Sequence, residues 1–249
     1  MNVKHTVNRY LRQLQVLHVP VARPSIIRVF DHDPEAFTQG LVYSEGELYE
    51  STGSWQRSSL RRLCPASGAI LEMVRVEDNF AEGIARVNEH IYQLTWTSGK
   101  VLIYATNPIR LVSEGQIHQH GWGLAAYDGG LLTTDGSHRI RRYNPDLRIT
   151  GSFAVRRLGL PFRHLNALTT VSDQAFVNIW CTSLIAQLDL PSGRLVRVID
   201  CSELEAIESP KTPHHILNGI CYRPESGSFF VTGKNWHRMF EMRMASVEK

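Results

Sequence analysis

Five stretches of the chain share one alternation of apolar and polar positions. They read FTQGLVYSEGELYESTG from Phe37, FAEGIARVNEHIYQLTW from Phe80, HGWGLAAYDGGLLTTDG from His120, HLNALTTVSDQAFVNIW from His164 and ILNGICYRPESGSFFVTGK from Ile216. Each holds a short alternating run, a turn rich in Gly, Asp, Asn or Ser, and a second alternating run, which is the pattern of a β-hairpin. A second unit follows every hairpin: SLRRLCPASGAILEMV, GKVLIYATNPIRLV, HRIRRYNPDLRIT, SLIAQLDLPSGRLVRVI and the shortened HRMFEMRM. Apolar residues in these units alternate about a central turn, so a full repeat contributes four strands. Repeats at intervals of 40 to 52 residues, five times over, predict an all-β chain folded as a five-bladed β-propeller.

The last repeat stops after one strand of its second unit, near Met244, and a blade without its outer strand leaves an open edge. SIIRVF, residues 25–30, has the alternation to fill that gap, so this N-terminal strand is expected to complete the C-terminal blade and close the ring. The chain then divides into an N-terminal arm, 1–24, and a single propeller domain, 25–249. The arm reads either as a short amphipathic helix through Leu11, Leu14 and Leu17 or as a poorly ordered segment ended by Pro20 and Pro24. The longest interval carries DCSELEAIESPKTPHHIL, 200–217, in which Ser202 and Glu205 have capping-box spacing for one or two helical turns. This insertion is either a lid over the channel mouth or a long surface connection.

Aligning the hairpins on Gly40, Gly83, Gly123, Ala167 and Gly219 puts Gln39, Glu82, Trp122, Asn166 and Asn218 in the preceding column. The first strand of every propeller blade lines the central channel, so one column is one ring around the axis. Where the second strand returns to the same end, the column reads Gly53, Trp96, Gly136, Trp180 and, after a turn two residues longer, Lys234. A core would fill such positions with Val, Ile or Leu. Here they hold one carboxylate, one ammonium, three indoles and three carboxamides. Any one of them has an ordinary explanation in bound water or packing, but mixed chemistry at one address in every repeat reads as a site. Glu82 is the only acidic member; desolvation by the indoles raises its pKa and a nearby Lys234 lowers it, a balance the sequence leaves open.

Composition narrows the partners. Hydrophobic residues make up 43% and charged residues 20% of the 249 positions, ordinary globular usage, and no run of about eighteen apolar residues is present to cross a bilayer. The net charge of +3 is spread over scattered basic pairs, too thin for a phosphate-tracking surface, so neither nucleic acid nor membrane is an expected partner. Cys64, Cys181, Cys201 and Cys221 lack metal-ligand spacing and read as buried thiols. His118, His120, His214 and His215 fall in connections between strands, so no metal or other cofactor is expected. The start of the chain lacks the apolar core of a secretory signal.

HDPEAFTQGL, YESTG, FAEGI, QLTW, GWGL, NIW, LNGI and TGKNW, in this order, resemble the plant and bacterial type of glutaminyl-peptide cyclotransferase, or glutamine cyclotransferase, over about residues 28 to 242. The resemblance implies a monomeric five-bladed propeller, a transferase of the aminoacyl class. It would turn the N-terminal glutamine of peptides or proteins into pyroglutamate with loss of ammonia and without metal. Carried over by motif, it assigns Glu82 as acid and base. Gln39, Trp96, Trp122 and Trp180 become substrate contacts, and Asn166 and Lys234 become candidate donors to an oxyanion. Asn218 joins the substrate contacts from the repeat alignment alone. The chain departs from the family in reading LNALT, with Ala167 and Thr169 where glutamates are common. Family members are commonly exported, which leaves localisation open. Two other readings compete: a propeller that binds peptides or proteins without chemistry, and a metal-dependent lactonase or lyase, for which the ring has too few carboxylates and no His.

Overall fold

In the computed structural model, which describes residues 15–244, the alternating runs become antiparallel sheets that radiate from a common axis. Four of these sheets have four strands each. The first runs Thr38–Ser44, Glu47–Thr52, Ser58–Leu63 and Ile70–Val76; the second Ala81–Val87, His90–Thr95, Lys100–Thr106 and Ile109–Gln116. The third runs Leu124–Tyr127, Gly130–Thr133, Arg139–Tyr143 and Ile149–Ala154. The C-terminal sheet comprises Leu217–Arg223, Ser228–Gly233 and Arg238–Arg243, with Ser25–Asp31 paired antiparallel along its outer edge.

The expectation of five equivalent four-stranded blades in a closed five-bladed propeller is corrected by the remaining sheet, which has seven strands. Leu165–Val171, Gln174–Ile179, Leu184–Asp189 and Arg194–Asp200 form its hairpin pair. Beyond them, Val21–Ala22 and Arg156–Arg157 pair parallel to the outer strand, and Leu160–Pro161 folds back on Arg156–Arg157. The fold is therefore propeller-like, four four-stranded blades with one larger sheet. The added strands are two residues long, too short for any alternation to announce, and they cover an edge that would otherwise present unpaired backbone groups. Val16 and Val19 pack on the core of this sheet. Of the alternative helix through the arm, Leu11 and Leu14 lie outside the described residues.

Innermost strands pack each on the next, with Leu217–Arg223 returning against Thr38–Ser44. The glycine column makes this approach possible. A Cβ on Gly83 would stand 2.7 Å from the Trp122 carbonyl oxygen, and one on Gly123 2.2 Å from that of Asn166; instead Gly83 N–H donates to Trp122 O at 2.7 Å. Apolar clusters fill the spaces between neighbouring sheets, where side chains such as Tyr49, Leu60, Ile84 and Ile91 are fully buried.

The insertion forms a helix, Ser202–Glu208, whose N-cap is Cys201 without a side-chain cap, so the capping box between Ser202 and Glu205 does not form. Asp200 Oδ1 accepts from Ser202 N–H one step earlier and displaces it. Buried Glu208 accepts from the backbone N–H of His237 at 2.8 Å, and Trp236 Nε1–H donates to His215 O. The insertion thus buttresses the turn that follows Ser228–Gly233.

Candidate active site

A cavity of about 210 Å³ opens at the end of the axis where the innermost strands begin, and Phe37, Gln39, Phe80, Glu82, Trp96, Trp122, Asn166, Trp180 and Lys234 line it. Two local devices bring these residues to one level. In four innermost strands a β-bulge falls at the ring position, between Thr38 and Gly40, Ala81 and Ile84, Leu165 and Leu168, and Leu217 and Ile220. A bulge re-aims the extra residue, and here it releases Gln39, Glu82 and Asn166 from the alternation of their strands. The second device is a backbone hydrogen bond at the strand ends. Gly53, Trp96, Trp180 and Lys234 donate their N–H to Phe37, Phe80, His164 and Ile216 at 2.8–2.9 Å, which pins the returning strand beside the ring.

The indoles and carboxamides predicted from the repeat meet here, with one exception. Asn218 is fully buried behind Gln39 and does not line the cavity; its Nδ2 donates to Thr38 O at 2.9 Å and to Gln39 Oε1 at 3.1 Å. Because Gln39 Oε1 accepts there, its Nε2 is turned toward Glu82 Oε1, 3.3 Å away. The two glycines of the returning column make room for aromatic rings: a Cβ on Gly53 would meet Phe80 Cε1 at 2.3 Å, and one on Gly136 would meet Trp122 at 2.7 Å. Phe37 and Phe80 were missed by reading them as strand residues. Their signal was present, since both stand two places before the ring residue in equivalent repeats.

Aromatic rings form two walls. Phe80 lies between Phe37, at 6.2 Å, and Trp96, at 5.6 Å, while Trp122 meets Trp180 edge to face at 5.5 Å. Glu82 is 6% exposed with Gln39 as its hydrogen-bond partner. Burial pushes its pKa up to about 8, with the Lys234 ammonium offsetting part of the rise. Desolvation therefore wins the balance that the sequence left open. Lys234 is lowered by the same burial, against the pull of Glu82 and Cys181, and its Nζ sits 4.6 Å from the centre of the Phe37 ring. Asn166 Oδ1 is buried with no hydrogen-bond partner among the described residues. No residue of the 200–217 insertion lines the cavity.

The glutamine cyclotransferase family model matches residues 3–244. The chain belongs to the glutamine cyclotransferase family. Among relatives of this cyclotransferase-family chain, a glutaminyl-peptide cyclotransferase of Arabidopsis thaliana is 31% identical over 226 residues, spanning 88% of this chain and 70% of that protein. The crystal structure of Myxococcus xanthus glutaminyl cyclase superposes with a TM-score of 0.87 at 35% identity, over 93% of this chain and all of that one. The WD40 repeats of RRP9, at 11% identity and a TM-score of 0.56 over 89% of this chain and 99% of that one, share the fold alone.

Proposed function

We propose that the chain converts the N-terminal glutamine of peptides and proteins to pyroglutamate and releases ammonia, with Glu82 as general acid and base. The observation that carries this reading is the placement of Glu82, the one carboxylate in a small cavity lined by three indoles, Gln39, Asn166 and Lys234. Burial there pushes its pKa up to about 8, into the range of a peptide α-amino group, which suits a group that takes up and returns a proton.

The α-nitrogen attacks the side-chain carboxamide carbon of its own residue. A new C–N bond closes the five-membered ring, and the carbonyl π electrons move to oxygen. The attacking nitrogen loses its proton to the Glu82 carboxylate. Glu82 then returns it to the carboxamide nitrogen, the C–NH2 bond breaks as the oxyanion collapses, and ammonia leaves. Nucleophile and electrophile share one residue, so the task of the cavity is to hold the bent conformer, for which its small volume between rigid indoles is suited. The indole faces also attract the ammonium form of the substrate. Lys234 serves as donor to the oxyanion, and Asn166 holds the departing carboxamide. One carboxylate beside an ammonium is a poor donor set for a metal, so the chemistry runs on these side chains.

The test is ammonia release from a glutamine-initiated dipeptide with and without a strong chelator. Release that the chelator leaves undiminished is the expected result. Absence of ammonia would sink the activity, and loss on chelation would sink the metal-free mechanism.

A further inference from the structure

A wider groove of about 670 Å³ opens beside the cavity and shares Phe37 and Phe80 with it as common walls. We infer that this groove receives the peptide downstream of the cyclising glutamine and selects an apolar side chain at the residue that follows it. The inference rests on the cyclase reading above. A cavity of about 210 Å³ has room for one residue, and the glutamine carbonyl must leave it bonded to the rest of the peptide. The exit across Phe37 and Phe80 leads into the groove.

Charge does not dominate this groove, because most of its charged lining is paired internally. Arg57 bonds Glu35 at 2.9 Å and Arg61 bonds Asp33 at 2.9 Å, with Arg75 on the strand Ile70–Val76 adding one further positive group. What distinguishes the groove is apolar surface turned to solvent. Trp55 is 57% exposed with its ring edge-on to Phe80 at 5.9 Å, and Ile70 and Met73 are 44% and 43% exposed. An exposed indole continuous with the wall of a substrate cavity is a platform for an apolar side chain. Gly53 lets the shared Phe80 wall take its place, since any side chain there would meet the ring.

The experiment compares ammonia release from glutamine amide, Gln-Gly-Ala and Gln-Phe-Ala by the parent protein and by Trp55→Ala and Met73→Ala, both at solvent-exposed positions. In the parent, kcat/KM for Gln-Phe-Ala is expected to exceed that for Gln-Gly-Ala about tenfold, a difference of about 1.4 kcal/mol. Trp55→Ala should bring the two peptides within about twofold through KM while turnover of glutamine amide stays unchanged, and Met73→Ala should act in the same direction more weakly. Equal rates for the two peptides in the parent, or a preference that survives both substitutions, would overturn the groove and leave the cyclase standing. A loss in Trp55→Ala that extends equally to glutamine amide would also overturn it. No ammonia from any of the three would overturn the cyclase reading and the groove with it.

Discussion

Glu50 and Glu82 are buried carboxylates on neighbouring sheets, and their surroundings drive their proton affinities in opposite directions. Glu50 is fully buried, yet it accepts from His32 Nε2 at 2.8 Å and from Thr38 Oγ1 at 2.7 Å, with Arg61 at 3.6 Å. Burial alone would raise its pKa; the charge and hydrogen bond of His32, with Arg61 and Thr38, hold it below the ordinary value. His32 also faces Trp236 O at 2.8 Å through Nδ1. A carbonyl and a carboxylate only accept, so both ring nitrogens donate and His32 is an imidazolium. Burial would lower its pKa, but Glu50 overrides that and raises it. This network ties the segment after Ser25–Asp31 to the first sheet and to the turn after Lys234. Glu82 has one long hydrogen bond and one cation opposing its desolvation. What separates the structural carboxylate from the proposed proton carrier is the number of donors, since depth is nearly the same.

The largest expected effects exchange the two roles. Glu82→Gln should lower kcat/KM about 10²–10⁴-fold while keeping a cooperative thermal transition at or above the parent's midpoint. Glu50→Gln should cost about 1–3 kcal/mol in urea unfolding, because the buried charge pair with His32 and its charge-assisted hydrogen bond are lost, yet keep turnover per folded molecule. Reversal of these outcomes, read by ammonia release and by unfolding, would break the comparison.

Next, Lys234→Gln removes the charge that holds Glu82 down, so the acid limb of the kcat/KM profile should move to higher pH by about one unit, alongside weaker turnover. A limb that stays put would mean that another group sets it. Smaller still is the effect on stability with pH. His32 and Glu82 have raised folded pKa values, so each contributes stability that is present below its unfolded value, 6.5 and 4.5, and is lost as pH rises through its folded value. Glu50 is depressed, so its contribution is present above 4.5 and is lost as pH falls. Unfolding of Glu82→Gln should therefore weaken less than that of the parent between about pH 5 and 8, and His32→Gln should flatten the alkaline side further. The smallest change expected is Gly136→Ala: at φ +77°, with Trp122 against it, a methyl displaces the indole and should raise KM for glutamine substrates several-fold with less effect on kcat. An unchanged KM would show that the ring relocates freely.

The sequence by itself determined the strands, the repeat and the column that carries Gln39, Glu82, Trp122 and Asn166, because alternation and turn chemistry are local and recur in register. It also marked Ser25–Phe30 as a partner for the last sheet, which only a long-range count of strands required. The tertiary structure decided the rest. Two-residue strands from the arm and from the connection at Arg156 enlarge one sheet beyond a blade, since they are held by the edge they cover and not by their own pattern. Bulges aim the ring residues, Gly53 and Gly136 yield space to rings from other parts of the fold, and Asn218 recedes behind Gln39. The upward direction of the Glu82 pKa was decided there too, because desolvation and hydrogen bonding are imposed by neighbours that separate sheets contribute, and no local stretch of chain contains them.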